Sequence, residues 1–248
     1  MSDASVTVAG GLLVVAALAV YANSVSGPFI FDDVLSIPQN PTIRHFGSAL
    51  FPPGGGLTVS GRPLLNLSFA LNHALSGDGV GSYHALNLLI HVLAGLVLFG
   101  IVRRTLVRME SEGHAATGWG GPAPVLIGGR PRREPPDGGA AGCGLRAEGP
   151  AKAGDPAPPA QSTLLAFAAA MLWTLHPLQT ESVTYVVQRS ESLMGLCYLL
   201  TLYCFIRGAE GPEQDAAEAP AAPRLRNRWG RAGWFVLSSA ACVGGMAT

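Results

Sequence analysis

Two adjacent aspartates, Asp32 and Asp33, are the residues whose type and spacing most directly suggest chemistry. They lie in the stretch GPFIFDDVLSIPQNPTIR, residues 27 to 44, where most of their neighbours are apolar. This setting indicates a membrane interface or a partly buried site, and burial beside a like charge raises a carboxyl pKa toward that of a useful general base. The structural alternative is that Asp33 caps a turn at residues 34 to 37.

A second group of charged residues lies in LHPLQTESVTYVVQRSES, residues 175 to 192. His176 precedes a proline that ends a helix, and Glu181 suits the first turn of a short helix that leads to Arg189. Because a guanidinium stays charged and can hold a phosphate with two hydrogen bonds, Arg189 and Arg62 are candidate phosphate ligands. The alternative for Glu181 and Arg189 is a solvated ion pair of little energetic value.

A third group consists of polar side chains within an apolar segment. His84, Asn87 and His91 follow one another at spacings of three and four, which places them on one face of a helix. Intramembrane polar residues usually face a bundle interior or a cavity, so all three are candidate substrate-binding residues. The alternative for Asn87 and His91 is hydrogen bonding between helices, worth about 0.6 kcal/mol per residue. A metal site is disfavoured, because no third strong ligand is near in sequence.

The elements that must position these groups are membrane helices. The chain has 248 residues, of which 48% are apolar and 13% charged, and its formal net charge is zero. Its mean hydropathy of +0.33 is typical of polytopic membrane proteins rather than soluble domains. We expect no nucleic-acid partner, since neither a basic field nor a zinc motif is present. The four cysteines form no CxxC pair and are expected to be packing residues.

Five segments approach the roughly 20 apolar residues that cross a bilayer as a helix. They are residues 7–24, 84–102, 162–176, 191–206 and 234–248. The predicted fold class is therefore all-α, a polytopic membrane helix bundle with about five transmembrane helices. The first segment has no preceding Lys or Arg, which favours a retained signal anchor over a cleaved signal peptide. The last segment stops without a polar flank, so we expect the chain to be a fragment.

The distribution of positive charge gives the expected orientation. Thirteen of the sixteen Lys and Arg residues lie in residues 103–161 and 207–231, which are therefore expected to be cytoplasmic. Two segments then face the opposite side: residues 25–83, called loop A, and residues 177–190, called loop B. Within loop A, the stretch at residues 60 to 77 predicts either an amphipathic helix on the membrane surface or a packed loop segment.

The predicted domain organisation follows from these boundaries. Residues 1–108 hold the first two transmembrane helices and a structured, catalytic loop A, and residues 162–208 form a transmembrane helical hairpin around loop B. Residues 109–161 are a disordered cytoplasmic linker, since they are rich in Gly, Pro and Ala without periodicity. Residues 209–232 form a second cytoplasmic linker, and residues 233–248 begin a truncated transmembrane helix.

Several motifs, taken in order, resemble one known family. They are FDD followed by NP, then GRPLLNLSFALNHAL, then YHALNLLIHVL, and finally LHPLQTESVTYVVQRSESLMGLCYLL. These motifs are similar to the transmembrane and tetratricopeptide-repeat proteins, whose membrane half is similar to GT-C glycosyltransferases and whose animal members are protein O-mannosyltransferases. The similarity covers about residues 8 to 208 without the first linker. The helical repeat array of that family, with a period of about 34 residues, is absent from this chain.

The resemblance implies an inverting transfer of a sugar, such as mannose, from a polyprenyl phosphate donor to a hydroxyl of a protein or glycan acceptor. The reaction takes place on the extracytoplasmic side, in contact with membrane lipid, and the matching positions make Asp32 or Asp33 the catalytic base. Chemistry and location, rather than family motifs, add the candidate substrate-binding residues Arg62, His84, Asn87, His91, His176, Glu181 and Arg189. No cofactor or metal ligand is assigned, and whether a divalent metal assists is left open.

The missing repeats and further spans lead us to expect an inactive isolated fragment. Linkers rich in Gly, Ala, Pro and Arg favour a bacterial source, in whose inner membrane loops A and B would be periplasmic. Two other functions are open. A non-catalytic membrane scaffold would keep the bundle while C-terminal repeats bind protein partners. A small-molecule transporter would use the polar face of His84, Asn87 and His91, although it needs no long loop with paired carboxylates.

Overall fold

The computed structural model describes residues 3–117, 159–210 and 230–248. Its helices are α1 (Asp3–Tyr21), α2 (Asp32–Ser36), α3 (Phe46–Ala49), α4 (Pro63–Ser76), α5 (Val80–Thr117), α6 (Pro159–Thr174), α7 (Thr180–Thr184), α8 (Arg189–Ala209) and α9 (Arg231–Met246). Short 3-10 turns lie at Ala22–Ser26, Pro41–Arg44, Pro177–Gln179 and Val186–Gln188. No strand occurs in these three ranges, and the all-α prediction is confirmed.

Three stretches of the described chain are long and apolar enough to cross a membrane: Ala4–Ser26, Val80–Glu110 and Val186–Ala209. They contain the first, second and fourth predicted segments, so the prediction of an all-α membrane helix bundle is confirmed. The third and fifth predicted segments form α6 and α9, which have 16 residues each. At a rise of 1.5 Å per residue each is about 24 Å long, shorter than a hydrocarbon core of about 30 Å.

Helix α5 is at the centre of the bundle. It packs against α1, α6 and α8, and α9 packs along α8. Leu13, Phe99 and Ala170 form a buried cluster between α1, α5 and α6. Ile90 and Leu196 belong to a second cluster, which joins α5 to α8. The two helices that were predicted as a hairpin, α6 and α8, thus both pack on α5.

The structure describes only the ends of the two predicted linkers. Helix α5 continues to Thr117, so the segment predicted as the first linker begins with helix. The rest of that linker up to residue 158, and residues 211–229 of the second, lie outside the described residues. An ion pair of 2.7 Å between Arg104 and Glu210 ties α5 to the end of α8.

Loop A has an apolar core of its own, which explains how a long connection holds a defined shape. Its buried members are Ile37, Ile43, Ala49, Val59, Leu65, Phe69, Ala70 and Tyr83, joined by Val186 and Val187 of loop B. Asn66 of α4 is fully buried and donates to Thr42 Oγ1 and to the Ala49 carbonyl, both at 2.9 Å. The core of loop A is therefore held by hydrogen bonds as well as by apolar packing, and it extends into loop B.

Helix α4 buries two asparagines together with apolar residues and exposes leucines on its other side. The helix begins at Pro63, and Asn66 and Asn72 on it are buried within the protein. On the opposite side, Leu71 is 44% exposed and Leu75 is 75% exposed. An apolar stripe that faces away from the protein is what a helix in contact with lipid requires.

We expect Gly95→Ala to destabilise the bundle where α5 meets α6. A methyl group at Gly95 would lie 2.5 Å from Thr174 Oγ1 and 3.3 Å from Leu13 Cδ2. Such overpacking should lower the free energy of unfolding by about 1–3 kcal/mol. Gly11→Ala on α1 is the matched control, because a methyl group there meets no atom within 4 Å. Thermal unfolding in detergent measures both variants, and equal midpoints would contradict this packing.

Candidate functional site

The carboxylate of Asp33 joins loop A to loop B. Asp33 is only 1% exposed, and its Oδ1 accepts a hydrogen bond of 2.7 Å from the Val187 backbone N–H. Its Oδ2 accepts a bond of 3.2 Å from the Ile30 N–H. Burial raises the pKa of the Asp33 carboxyl, and the backbone N–H groups that face it act in the opposite direction. Each oxygen accepts a backbone hydrogen bond, which favours a structural role for this carboxylate, and the assignment of Asp33 as a catalytic base stays a prediction.

Asp32, the preceding residue, is exposed. Its Oδ2 accepts a hydrogen bond of 3.3 Å from the Thr58 hydroxyl. Its backbone N–H donates to the Tyr185 hydroxyl of loop B at 3.2 Å. The position of the backbone is therefore set by loop B, while the carboxylate lies at the surface where a substrate hydroxyl can approach it.

The short helix α2 explains why neighbouring carboxylates have such different surroundings. Asp32 and Asp33 are its first two residues, and successive residues of a helix point about 100° apart. One side chain can then enter the protein while the next stays outside. The alternative that the Asp33 carboxylate caps the turn at residues 34 to 37 is wrong, because its partners are Ile30 and Val187.

Arg189, the first residue of α8, has no exposed surface. Its guanidinium donates to four neutral oxygens of α4 and α5: Asn87 Oδ1 at 2.7 Å, Asn72 Oδ1 at 2.8 Å, the Tyr83 carbonyl at 2.9 Å and Ser68 Oγ at 3.2 Å. The Phe69 ring centre lies 4.7 Å from its central carbon. In the ranges that the structure describes, no carboxylate forms an ion pair with Arg189. Because the guanidinium is enclosed and already bonded, the geometry favours a positioning role, and the assignment of Arg189 to phosphate binding stays a prediction.

The remaining predicted residues in loop B and directly before it lie at the surface. Glu181 is exposed and accepts a long hydrogen bond of 3.5 Å from Gln188 Nε2. The alternative of an ion pair between Glu181 and Arg189 is wrong, because Arg189 is buried and bonded elsewhere. His176 is also exposed, and its Nδ1 accepts a bond of 3.2 Å from the Leu178 N–H. His176 therefore caps the turn after α6, and its assignment to substrate binding stays a prediction.

Arg62 is the predicted phosphate ligand that lies near the surface. It is half-buried just before α4, and its backbone N–H donates to the Val59 carbonyl at 3.0 Å, which closes the turn at residues 59–62, next to Thr58. Because Thr58 contacts Asp32, Arg62 belongs to the same part of loop A as the exposed carboxylate. Among the described residues, no acidic side chain forms an ion pair with Arg62. Its charge is available to an anion.

The polar stripe of α5 lies inside the protein, and its three side chains are at most 2% exposed. Each donates to a backbone carbonyl of a different segment: His84 Nε2 to Gly27 at 3.1 Å, Asn87 Nδ2 to Val186 at 3.2 Å and His91 Nε2 to Thr174 at 2.8 Å. The His91 contact supports the alternative of hydrogen bonding between helices, whereas the His84 and Asn87 contacts tie α5 to loops A and B. They also weaken the transporter hypothesis, since these donors are already bonded. The assignment of the stripe to substrate binding stays a prediction.

Sequence reasoning missed four polar residues that hold this site. Thr58 and Tyr185 contact Asp32, and Ser68 and Asn72 contact the buried guanidinium. Ser68 and Asn72 did carry a signal, because polar residues four apart in an otherwise apolar helix share one face. Thr58 and Tyr185 carried none, since they lie 26 and 153 residues away from their partner.

Asp32 lies where loops A and B meet, and Arg62 follows its contact Thr58 by four residues on loop A. Asp32 can accept a proton from a hydroxyl group, and Arg62 can hold an anionic group. Within the described ranges, no group of three or more His, Cys, Asp or Glu side chains is placed to hold a metal ion. These ranges therefore supply no candidate ligands for a divalent metal, and whether a metal assists stays an open question.

We expect Arg189→Lys to be strongly destabilising, because a single ammonium cannot reach four oxygens arranged around a planar fork. Buried acceptors that lose their donors should lower the free energy of unfolding by about 3 kcal/mol or more. Arg44→Lys is the control, since Arg44 is exposed and forms a surface ion pair of 3.5 Å with Asp78. Limited proteolysis and thermal unfolding in detergent measure the effect. An Arg189→Lys variant as stable as the control would show that the network contributes little.

The chain is similar to protein O-mannosyl-transferases of animals. It is 26% identical over 202 residues to TMTC2 of Mus musculus, a match that covers 77% of this chain and 18% of the relative. It is 27% identical over 213 residues to TMTC1 of Mus musculus, covering 82% and 17%. For Tmtc3 of Drosophila melanogaster the identity is 26% over 205 residues, covering 78% and 18%. No protein-family model matches the chain. No solved structure matches it.

The chain spans about one fifth of the length of these relatives. All of them are animal proteins, so they give no support to the expectation of a bacterial source, or of an inner membrane with periplasmic loops. The similarity to these relatives supports the family resemblance that the sequence motifs indicated. The homologues of this membrane helix bundle are protein O-mannosyl-transferases, at low sequence identity.

Proposed function

We propose that this chain is the membrane part of a glycosyltransferase that transfers mannose from a polyprenyl phosphate donor to a hydroxyl of a protein acceptor on the extracytoplasmic side. The observation that carries the proposal is that the two aspartates have different surroundings. Asp33 is buried and bonded within the fold, whereas Asp32 is exposed beside it. The similarity to O-mannosyl-transferases supports the sugar and the acceptor class.

In this proposal Asp32 is the general base. The oxygen of the acceptor hydroxyl forms a bond to the anomeric carbon of the donor sugar, and its proton passes to the Asp32 carboxylate. The bond between the anomeric carbon and the phosphate oxygen breaks, and its electron pair leaves with the polyprenyl phosphate. Attack from the side opposite the leaving group inverts the configuration. Arg62 stabilises the negative charge of the departing phosphate.

An apolar groove supports a donor that carries a lipid. About 400 Å³ of space between α4 and α8 is lined by Phe46, Leu64, Leu67, Ser68, Leu71, Leu193 and Cys197. Leu193 and Cys197 belong to the candidate span Val186–Ala209, so the groove runs along a helix that is apolar enough to cross a membrane. An isoprenoid chain suits such a surface better than water does. Ser68 also contacts Arg189, which brings the groove next to the polar core of the site.

Arg189 takes a positioning role in the proposed mechanism. It holds the Asn87 amide, whose Nδ2 donates to the Val186 carbonyl at 3.2 Å. The N–H of the next residue, Val187, binds Asp33 at 2.7 Å. These contacts connect the buried guanidinium to the aspartate pair through the backbone of loop B. They support a role for Arg189 in setting the position of Asp32.

We expect Asp32→Asn to lower mannose transfer at least about a hundredfold, because an amide cannot accept the proton. The fold should stay intact, since the side chain is exposed. Asp33→Asn should instead reduce stability by about 1–3 kcal/mol, because the new amide NH₂ faces a backbone N–H and leaves it unpaired. The assay uses membranes that contain the protein expressed from its complete gene, supplied with labelled polyprenyl phosphate mannose. Label in protein and the amount of folded enzyme are both measured.

Two outcomes would count against this proposal in different ways. Full transfer by an Asp32→Asn variant would show that another group is the base. A wild-type protein that transfers no sugar from any polyprenyl phosphate donor would favour the non-catalytic scaffold, in which the aspartate pair is structural.

We expect Arg62→Gln to raise the KM for the donor about tenfold, because a charge-assisted contact to the phosphate is lost. Arg62→Lys keeps the charge without the planar fork and should give an intermediate KM. Arg44→Gln, on the same loop, is the control and should leave the KM unchanged. Steady-state transfer at varied donor concentration measures all three. A donor KM that Arg62→Gln leaves at the wild-type value would remove Arg62 from the donor site.

A further inference from the structure

Phe31 has a backbone conformation that normally requires glycine. Its φ is 45° and its ψ is −117°, close to the about 60° and −120° of the first corner of a type II′ turn. It is the one non-glycine residue with a positive φ among those the structure describes. The Asp33 N–H donates to the Ile30 carbonyl at 2.9 Å, and the Ile30 N–H donates to Asp33 Oδ2 at 3.2 Å. The turn is closed from both sides, and a bulky residue is strained in it.

Packing does not explain why a phenylalanine stands at this corner. The Phe31 side chain is 83% exposed, so its ring contributes little to the core. Glycine would adopt the same turn without strain. The ring also stands directly before Asp32, the exposed carboxylate. A strained and exposed aromatic residue next to a candidate base indicates a role in function rather than in stability.

We propose that Phe31 is a positioning residue for the donor sugar, whose C–H face packs against its ring. This inference rests on the function proposed above. A hexopyranose carries C–H groups on its faces and hydroxyl groups around its rim, so a flat apolar ring can fix one face without competing for hydrogen bonds. The tight turn holds the Phe31 ring one residue from Asp32. The sugar is thereby oriented with its anomeric carbon toward the hydroxyl that Asp32 activates.

A lipid surface is the other partner that an exposed aromatic ring suits. Phe51 of loop A, which is 77% exposed, fits that description equally well. It has no positive φ and no neighbouring carboxylate, however. Insertion into fluid lipid needs no particular backbone conformation, whereas stacking on a bound sugar does. The strain at Phe31 therefore favours a ligand with a defined position.

The first test is a series of substitutions in the protein expressed from its complete gene. Phe31→Tyr keeps an aromatic ring and should keep the donor KM, whereas Phe31→Leu and Phe31→Gly should raise it about three- to tenfold. Phe31→Gly should also unfold at the same or a higher temperature, because the strain is relieved. Phe51→Leu is the matched control and should change neither quantity. An unchanged donor KM for Phe31→Leu would overturn the proposal in favour of lipid insertion. A lower unfolding temperature for Phe31→Gly would overturn it by showing that the Phe31 ring stabilises the fold.

The second test does not depend on transfer. Phe31→Trp is combined with Asp32→Asn, and the fluorescence of the introduced indole is followed on addition of polyprenyl phosphate mannose or of polyprenyl phosphate without sugar. We expect an emission shift with the sugar-bearing lipid alone, and no shift for Phe51→Trp. If the wild type transfers nothing while this shift occurs, the proposed function fails and the sugar contact stands. No shift, or the same shift with both lipids, overturns the sugar contact whatever the transfer assay shows.

Discussion

A guanidinium without exposed surface is the constraint on which the rest of this structure depends. Taking a charge out of water is costly unless its N–H groups find oxygens in the protein. Arg189 meets this requirement by drawing together Asn72 of α4 and Asn87 of α5. Asn87 in turn donates to the Val186 carbonyl, and the following N–H of loop B binds Asp33. The buried charge therefore fixes loop B, and loop B fixes the aspartate pair.

The same contacts make the two aspartates unequal. Asp33 gives both oxygens to backbone N–H groups and closes the turn that strains Phe31, whereas Asp32 has its backbone held and its carboxylate exposed. A change at Asp33 therefore disturbs loop B, the strained turn and the position of Asp32 together. Loss of activity at Asp33 would not identify it as the base, because the fold and the chemistry share that residue. Only a change at an exposed position separates the two contributions.

Helix positions were predictable from the sequence because they follow from local patterns of apolar residues. All five predicted segments are helical, and α4 begins at Pro63 as its Arg-Pro start indicated. The burial of Arg189 was not predictable, because its acceptors lie 102 to 121 residues away and meet it only in the folded chain. The different surroundings of Asp32 and Asp33 likewise depend on contacts with Tyr185 and Val187, which are distant in sequence. Local sequence shows which residues could react, and long-range hydrogen bonds decide which of them are left free to do so.

The polar stripe in α5 shows how a membrane changes the meaning of a polar residue. If α6 continued as a helix, the Thr174 carbonyl would accept from the N–H of Leu178, but that group donates to His176 Nδ1 at 3.2 Å. His91 Nε2 at 2.8 Å and the Tyr21 hydroxyl at 3.2 Å supply the missing donors. Thr174 has no exposed surface, so bulk water does not reach its carbonyl, and an unpaired carbonyl there is costly. A polar side chain in one span can therefore be required to donate a hydrogen bond to a carbonyl that is left unpaired where a neighbouring helix ends. An intramembrane histidine indicates a functional site only after the carbonyls around it have been accounted for.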